Sequence, residues 1–270
     1  MVEKRLKDFS LEQICRSGQC FRMSRREDGL YQIIAGDRYL LAQQEEDLCR
    51  FYSSQEEYDT FWKSYFDLEK DYGEYKNTVG IRDKYLQEAV QLAGGVRILR
   101  QDLWEMIVSF LISSQNNITR IRRCIDNICR EYGEEKRAQD GTTYYAFPKA
   151  EALACLAEDQ LKECNLGYRS KYVVRTAKMV CQGEISLEKI KGMSYKKAKE
   201  ELLKCYGVGE KVADCICLFG LHQLQAFPVD THIRQALEGH YPKGFPKRRY
   251  KGFEGVMQQY IFYYELYGKK

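Results

Sequence analysis

The segment at residues 205–215, CYGVGEKVADC, decides how the second half of the chain folds. Apolar residues recur at helical spacing before it, up to Leu203, and after it, over residues 212–219. Gly207 and Gly209 separate the two runs, and glycine adopts backbone angles that other residues avoid. The pattern therefore predicts a helix, a tight hairpin and a second helix.

This hairpin has two interpretations. The N–H groups at the start of the second helix would point outward and form an anion site, for which a duplex phosphate is the obvious ligand. A glycine-capped turn without a ligand would show the same residues. A dinucleotide-binding loop is excluded, because the third glycine of G-x-G-x-x-G is missing and a helix, rather than a strand, comes first.

Two charged residues give the hairpin a chemical interpretation. Lys211 is a solvated helix residue, a phosphate ligand or an amine nucleophile, and the last role needs some neutral amine near pH 7. Asp230, in FPVDTHIRQAL (227–237), is placed to cap the next helix. It could also face the lysine across a cleft. An amine and a carboxylate are the pair that cleavage of a carbon–nitrogen bond at a sugar requires.

The rest of the chain predicts an α+β fold. Residues 19–44 alternate apolar and polar positions around the turns EDG and AGD, which predicts an antiparallel β-meander. The period becomes helical from Ser53, with a capping box from Ser53 to Glu56. Further helices are expected at 82–93, 101–113, 117–132, 149–157, 158–164, 169–182, 194–205, 210–221 and 231–239. We expect an N-terminal antiparallel sheet domain at 1–95 and a mainly α-helical body at 96–270 that contains the helix–hairpin–helix.

Charge favours a nucleic-acid partner without proving one. The net charge of +4 hides a segment, 41–74, with ten acids and three bases, so the remainder of the chain sums to +11. A locally basic surface suits nucleic acid, although basic faces are also ordinary solvated faces. The sequence has no run of about 18 apolar residues, the length of a membrane span, and no signal-peptide core at its N-terminus. We expect no membrane association and a location in the cytoplasm or nucleoid of a prokaryote, or in the nucleus of a eukaryote.

The cysteines predict buried thiols in a reducing compartment, with no metal site. There are eleven cysteines and three histidines, and the closest cysteine pairs are 15/20, 124/129 and 215/217. The last pair cannot share one helix face, and a zinc site usually needs two close pairs.

Taken together, the motifs resemble the helix–hairpin–helix, Gly/Pro-rich, aspartate superfamily of DNA glycosylases, and within it the 8-oxoguanine DNA glycosylases. The resemblance covers nearly the whole chain. Besides the hairpin followed by PVDTHIRQAL, it rests on SGQCFRM (17–23), SFLISSQNNITRI (109–121), NLGYRSKYV (165–173) and GVMQQYIFYY (255–264). The four-cysteine loop that iron–sulfur members carry after the aspartate is absent from this sequence.

The resemblance implies the catalytic and base-binding residues. Lys211 matches the Schiff-base nucleophile, and Asp230 matches the catalytic aspartate. The carbonyl of Gly18 would accept a hydrogen bond from N7–H of 8-oxoguanine, a proton that guanine lacks. In the same pocket Phe262 and Cys215 would sandwich the flipped base, and Gln258 would read its Watson–Crick edge. Phe219 matches an apolar residue near the pocket.

It also implies contacts to the duplex. Gly207, Gly209 and His232 match phosphate contacts. Arg120 and Arg169 match arginines that contact the cytosine left behind, and Tyr168 matches a residue wedged into the vacated stack. Two positions depart from the family pattern. Tyr206 replaces a frequent proline, and Gln115 replaces an asparagine that helps to fill the hole opposite the flipped base.

The expected function is that of a bifunctional DNA glycosylase and AP lyase, which acts as a monomer on duplex DNA containing 8-oxoguanine. No cofactor is required, although the hairpin at 207–209 could hold a structural monovalent or divalent cation. A glycosylase for another damaged purine would keep Lys211 and Asp230 but change the base pocket. A non-catalytic helix–hairpin–helix DNA-binding protein would need neither residue.

Overall fold

A computed structural model describes residues 1–268 and begins with a five-stranded antiparallel sheet. Its strand order is β1-β5-β4-β3-β2, with strands Val2–Arg5, Met23–Arg25, Tyr31–Ala35, Arg38–Glu45 and Leu48–Phe51 numbered β1 to β5 along the chain. The predicted meander is confirmed as β2–β4, and Gly36, with φ of +60°, makes the turn between β3 and β4. The strands β1 and β5 were not predicted. In β1 three of the four residues are exposed, so it carries no apolar alternation.

One face of the sheet is covered by helix α1 (Leu11–Arg16) and by a helical segment at residues 55–65. That segment consists of α2 (Gln55–Glu57), a π-helical turn (Tyr58–Trp62) and α3 (Lys63–Tyr65). The capping prediction was wrong by one residue: the side chain of Ser54 accepts from the backbone N–H of Glu57, whereas Ser53 is buried. The spacing of a capping box is the same at both serines, and tertiary packing selects the exposed one.

The helices follow the predicted order with the following differences. Residues 158–164 form only the 3₁₀ turn Gln160–Lys162, since Leu161 and Cys164 are too few apolar residues for a buried stripe. The short helices at 72–76 and 187–191, the long helix at 254–267 and a two-stranded hairpin were not predicted. The helices are α4 (Tyr72–Lys76), α5 (Lys84–Ala93), α6 (Leu103–Ser113), α7 (Ile118–Tyr132), α8 (Ala150–Ala154), α9 (Ser170–Cys181), α10 (Leu187–Lys191), α11 (Tyr195–Leu202), α12 (Glu210–Gly220), α13 (Thr231–His240) and α14 (Glu254–Tyr267), and the hairpin strands are β6 (Glu135–Arg137) and β7 (Thr143–Tyr145).

Two apolar cores lie side by side. One belongs to the sheet and reaches Leu99, and the other fills the helical body and extends to α5, which packs against α14. Helix α6, which is buried along its whole length, forms the centre of the second core. The domain boundary at residue 95 stays a prediction. Within residues 1–268, no helix is long and apolar enough to cross a membrane.

Candidate active site

A cleft of about 890 Å³ lies where the sheet module meets the helical body. It is lined by residues from the loop before β2, the loop between α6 and α7, the hairpin, and the starts or faces of α12, α13 and α14. Of the predicted site residues, those that line it are Gly18, Gln115, Gly207, Gly209, Lys211, Asp230, His232 and Phe262. Segments more than 200 residues apart in sequence therefore meet in one cavity.

The predicted helix–hairpin–helix is confirmed as α11, a turn and α12. Gly207 has φ of +92°, and a Cβ there would lie 2.5 Å from Cγ of Tyr172, so both conformation and space require glycine. Gly209 is the N-cap of α12 and makes no side-chain cap hydrogen bond, and no atom lies within 4 Å of its Cβ position. The first N–H groups of α12 are therefore open on the side of the cleft, where an anion can reach them.

An ion-pair cluster ties the two helices of the motif together. Nζ of Lys199 on α11 lies 2.7 Å from the Glu210 carboxylate and 2.9 Å from that of Asp214, both on α12. The hydroxyl of Tyr195 donates to Asp214 over 2.5 Å. The cluster fixes α12, and with it the position of Lys211.

Lys211 is the second residue of α12 and is partly exposed in the cleft. Its Nζ lies 5.9 Å from the ring centroid of Phe110. Asp230 caps α13, where its Oδ1 accepts from the N–H of Ile233 over 2.8 Å. The carboxylate is thus held by its own helix while it lines the same cavity as the amine. The capping role of Asp230 is confirmed, and its catalytic role stays a prediction.

Gly18 and Phe262 are in contact at the opposite wall. Gly18 has φ of +73°, and a Cβ there would lie 3.0 Å from Cε1 of Phe262. The next residue, Gln19, is buried and fixes this loop: its Nε2 donates to Ser17 Oγ and to the Arg97 carbonyl, each over 2.8 Å. Because the loop is held on its buried side, the position of the Gly18 backbone is defined before any ligand binds.

Cys215 and Gln258 are buried next to the cleft but do not line it. Cys215 follows Lys211 by one helical turn; burial raises the pKa of its thiol to about 11, although the nearby Lys211 lowers it. The thiol therefore stays protonated at neutral pH and acts as a packing group. Gln258 precedes Phe262 by one turn on α14, and its Oε1 accepts from Nε2 of Gln259 over 3.2 Å.

Phe219, expected near the pocket, does not itself line the cleft. It stacks on Phe110, with ring centroids 5.5 Å apart and an interplanar angle of 17°. Phe110 lines the cleft, as does Phe21, which meets Phe110 edge to face at 5.7 Å. Sequence reasoning missed Phe21 and Phe110, although both lie inside the motifs SGQCFRM and SFLISSQNNITRI. It also missed Arg234, which follows Asp230 by one turn and lines the cleft.

The residues expected to face the opposite base gather around one loop. Gln115 is exposed and has φ of +49°, Arg120 is exposed on the first turn of α7, and Tyr168 is 44% exposed with its hydroxyl 3.4 Å from Oε1 of Gln115. Arg169 differs, because it is buried. Its Nε donates to the Ser114 carbonyl over 2.7 Å and its Nη2 to that of Gln115 over 2.8 Å. In this state Arg169 holds the loop and does not present its guanidinium to a ligand.

The sequence predicts that no metal site is built from side chains. Within residues 1–268, no group of three or more His, Cys, Asp or Glu side chains could hold a metal ion. All eleven cysteines are free, and nine of them are buried.

Comparisons with known proteins match both parts of the chain. Residues 1–107 match the family described as 8-oxoguanine DNA glycosylase, N-terminal domain, and residues 108–248 match the HhH-GPD superfamily of base excision DNA repair proteins. A probable N-glycosylase/DNA lyase of Methanothermobacter thermautotrophicus is 30% identical over 73% of this chain and 71% of its own length. The N-glycosylase/DNA lyase of Saccharomyces cerevisiae is 39% identical over 54% of this chain, which spans only 42% of the yeast protein.

A solved structure is similar to this chain over its whole length. The 8-oxoguanine glycosylase/lyase of Clostridium acetobutylicum, in complex with double-stranded DNA containing cytosine opposite 8-oxoguanine, is 37% identical. The alignment covers 100% of this chain and 98% of the clostridial one, with a TM-score of 0.92. The chain belongs to the HhH-GPD superfamily of base excision DNA repair proteins and carries the N-terminal domain of 8-oxoguanine DNA glycosylases.

Proposed function

We propose that this superfamily member is a bifunctional DNA glycosylase and AP lyase that excises 8-oxoguanine from duplex DNA. The observation that carries the proposal is that Lys211 and Asp230 line one cleft whose other wall is the Gly18–Phe262 contact. An amine and a carboxylate in one cavity that also has an aromatic wall are what excision through a covalent intermediate needs.

The reaction begins when the open N–H groups of the hairpin bind a phosphate and the damaged nucleotide is extruded into the cleft. The neutral amine of Lys211 attacks C1′ of the sugar, and the bond from C1′ to N9 breaks as the base leaves with the bonding electrons. The Asp230 carboxylate stabilises the positive charge that develops on the sugar ring. One amine proton goes to the departing base and the other to the ring oxygen as the sugar opens to an imine. Loss of a proton from C2′ then allows β-elimination of the 3′ phosphate.

Base selection depends on the Gly18 wall. The Gly18 carbonyl accepts a hydrogen bond from N7–H of 8-oxoguanine, and guanine would leave this acceptor unpaired at a cost of about 1–3 kcal/mol. Phe262 and Cys215 enclose the base, Gln258 reads its edge after a small rearrangement, and Phe110 supplies the apolar wall. An alkylated purine without a proton on N7 would have no donor for this acceptor.

The opposite strand is read at the loop between α6 and α7. Arg120 contacts the orphaned cytosine, Tyr168 enters the vacated stack, and Gln115 fills part of the hole. Arg169 acts mainly through the Ser114 and Gln115 carbonyls that it holds. His232 on α13 contacts a phosphate of the damaged strand.

The chemistry needs no resident cofactor. A monovalent or divalent cation at residues 207–209 would be structural, held between hairpin carbonyls and a phosphate. The protein acts as a monomer on DNA containing 8-oxoguanine, in a nucleoid or a nucleus.

Borohydride trapping tests the proposal directly. With a labelled duplex carrying 8-oxoguanine opposite cytosine, we expect a covalent protein–DNA band for the wild type and for the control Lys189→Gln, which removes an exposed lysine of α10. Lys211→Gln should give no band while still binding the duplex. If the wild type binds the duplex but gives no covalent band, the chain is a DNA-binding module or acts on a different lesion.

A further inference from the structure

One surface feature beside the cleft begins at Tyr168, the proposed wedge residue, and its other members have none of the roles above. Tyr168, Lys171, Tyr172 and Arg175 occupy positions i, i+3, i+4 and i+7, which places them on one face of the 3₁₀ turn and helix α9. Tyr206, at the tip of the hairpin, joins them from another part of the chain. We call these five residues the aromatic strip.

The strip is continuous and reaches from one DNA-binding element to the other. The ring of Tyr172 meets Tyr168 edge to face at 5.6 Å on one side and Tyr206 at 5.4 Å on the other. At one end, Tyr168 contacts the Gln115 loop. At the other end, the hairpin backbone lies directly on Tyr172, since a Cβ at Gly207 would be 2.5 Å from that ring.

Two of its three rings are exposed, and Tyr206 is held in place by its neighbours. Tyr206 is 39% exposed, and the Arg175 guanidinium lies 4.4 Å from its ring centroid. Arg175 is fixed in turn by two hydrogen bonds to Glu158, of 2.6 and 2.9 Å. Exposed tyrosines that are held in fixed positions are typical of a ligand-binding surface rather than of a hydrophobic core.

The aromatic strip carries a positive charge on Lys171. Glu158 neutralises Arg175, which leaves the ammonium group of Lys171, 5.8 Å from the Tyr172 centroid and 6.0 Å from that of Tyr206. Aromatic rings interleaved with cations are the pattern by which proteins follow a nucleic-acid backbone. A duplex that is held at the hairpin and at the Gln115 loop has to cross this surface.

We propose that the aromatic strip is a second DNA-contact surface, in which Lys171 neutralises a backbone phosphate and Tyr206 packs against the neighbouring sugar. The inference rests on the proposed function, because it takes duplex DNA as the ligand of the adjoining cleft. It gives Tyr206, the residue that departs from the family pattern, a task in DNA binding.

The test is the salt dependence of binding to a duplex with a non-cleavable abasic-site analogue, measured by fluorescence anisotropy. Each neutralised phosphate contributes about 0.9 to the slope of log K against log salt concentration, so Lys171→Gln should lower the slope by about one. Tyr206→Ala should weaken binding about fivefold or more at every salt concentration without changing the slope. The control Arg5→Gln removes an exposed cation of the sheet edge and should keep the wild-type slope.

A wild-type slope in Lys171→Gln overturns the proposal, whatever Tyr206→Ala does, since it means that no phosphate lies at the strip. Melting temperatures of the variants establish that the hairpin is still folded. Borohydride trapping of the wild type on 8-oxoguanine DNA keeps the two questions apart: a protein that traps but has an unaltered Lys171→Gln slope retains the proposed function and lacks the second surface.

Discussion

At the scale of single residues, the same side-chain type has different tasks according to its burial. Arg120 and Arg169 both match arginines expected at the opposite base, yet Arg120 is exposed and Arg169 is 4% exposed. Arg169 donates to two carbonyls of the loop that carries Gln115, whose positive φ is unfavourable for a glutamine. The arginine therefore helps to hold that loop in its strained conformation.

This difference predicts that the two arginines give different phenotypes. Arg120→Ala should relax the preference for cytosine opposite the lesion and change the free energy of unfolding by less than about 0.5 kcal/mol. Arg169→Ala should lower the free energy of unfolding by about 1.5–3 kcal/mol, because it removes two partly buried hydrogen bonds from a charged donor. Single-turnover excision on the four opposite bases, together with urea unfolding, measures both effects. Equal stability losses in the two variants would contradict the assignment.

At the scale of elements, helix termini carry the proposed chemistry. Gly209 opens the N-terminus of α12 toward an anion, and Asp230 closes the N-terminus of α13 with a hydrogen bond to Ile233. Both ends are placed by packing of their helices in the core, where α12 lies against the buried helix α6. The charge of Asp230 and its capping hydrogen bond are separate properties, which different substitutions can separate.

Two substitutions at Asp230 test that separation. Asparagine is as good an N-cap as aspartate, so Asp230→Asn should keep stability within about 0.5 kcal/mol and lower the excision rate by at least about a hundredfold. Asp230→Ala should lose the same activity and in addition about 1 kcal/mol of stability. Single-turnover kinetics and thermal unfolding of the pair provide the comparison. An active Asp230→Asn would remove the carboxylate from the mechanism.

At the scale of the whole molecule, buried polar groups hold the sheet module and the helical body in one arrangement. His222, after α12, lies with Nε2 3.3 Å from Oδ2 of Asp67 in the sheet module, and Asp67 also accepts from Arg100 and Tyr72. Burial opposes ionisation of Asp67, but the hydrogen bonds and charges of His222 and Arg100 outweigh it and lower its pKa. On the other side, Glu105 of α6 accepts from the N–H of Gly36 in the sheet.

A lowered pKa in the folded state predicts how stability depends on pH. The contribution of Asp67 should be present above about pH 4, the range of an unfolded aspartate, and should be lost as the pH falls through the lower folded pKa. Asp67→Asn should therefore cost about 3 kcal/mol at pH 7, and the difference from the wild type should shrink toward pH 3.

Urea unfolding from pH 7 to pH 3 measures this difference. The control Asp47→Asn removes an exposed carboxylate that pairs with Arg5 and should have little effect at any pH. A cost of Asp67→Asn that is the same at pH 7 and at pH 3 would mean that its charge does not hold the two modules together.

The sequence by itself determined the elements whose signals are local. The glycine hairpin, the positions of Lys211 and Asp230 at helix starts, and the meander around Gly36 all follow from the spacing of neighbouring residues, and the structure has them as predicted. Glycine at positive φ, a capping carboxylate and alternating strands depend on a few consecutive positions, so a single sequence contains enough information to locate them.

Only the tertiary structure decided which residues face the cleft. Phe110 rather than Phe219 forms its wall, Arg169 is buried in carbonyl contacts, and Tyr206 lies against Arg175. The edge strand β1 exists because β5 pairs with it, not because of its own pattern. Each of these outcomes depends on contacts between distant segments, and helical or strand periodicity describes only which face of an element is buried, not what it is buried against.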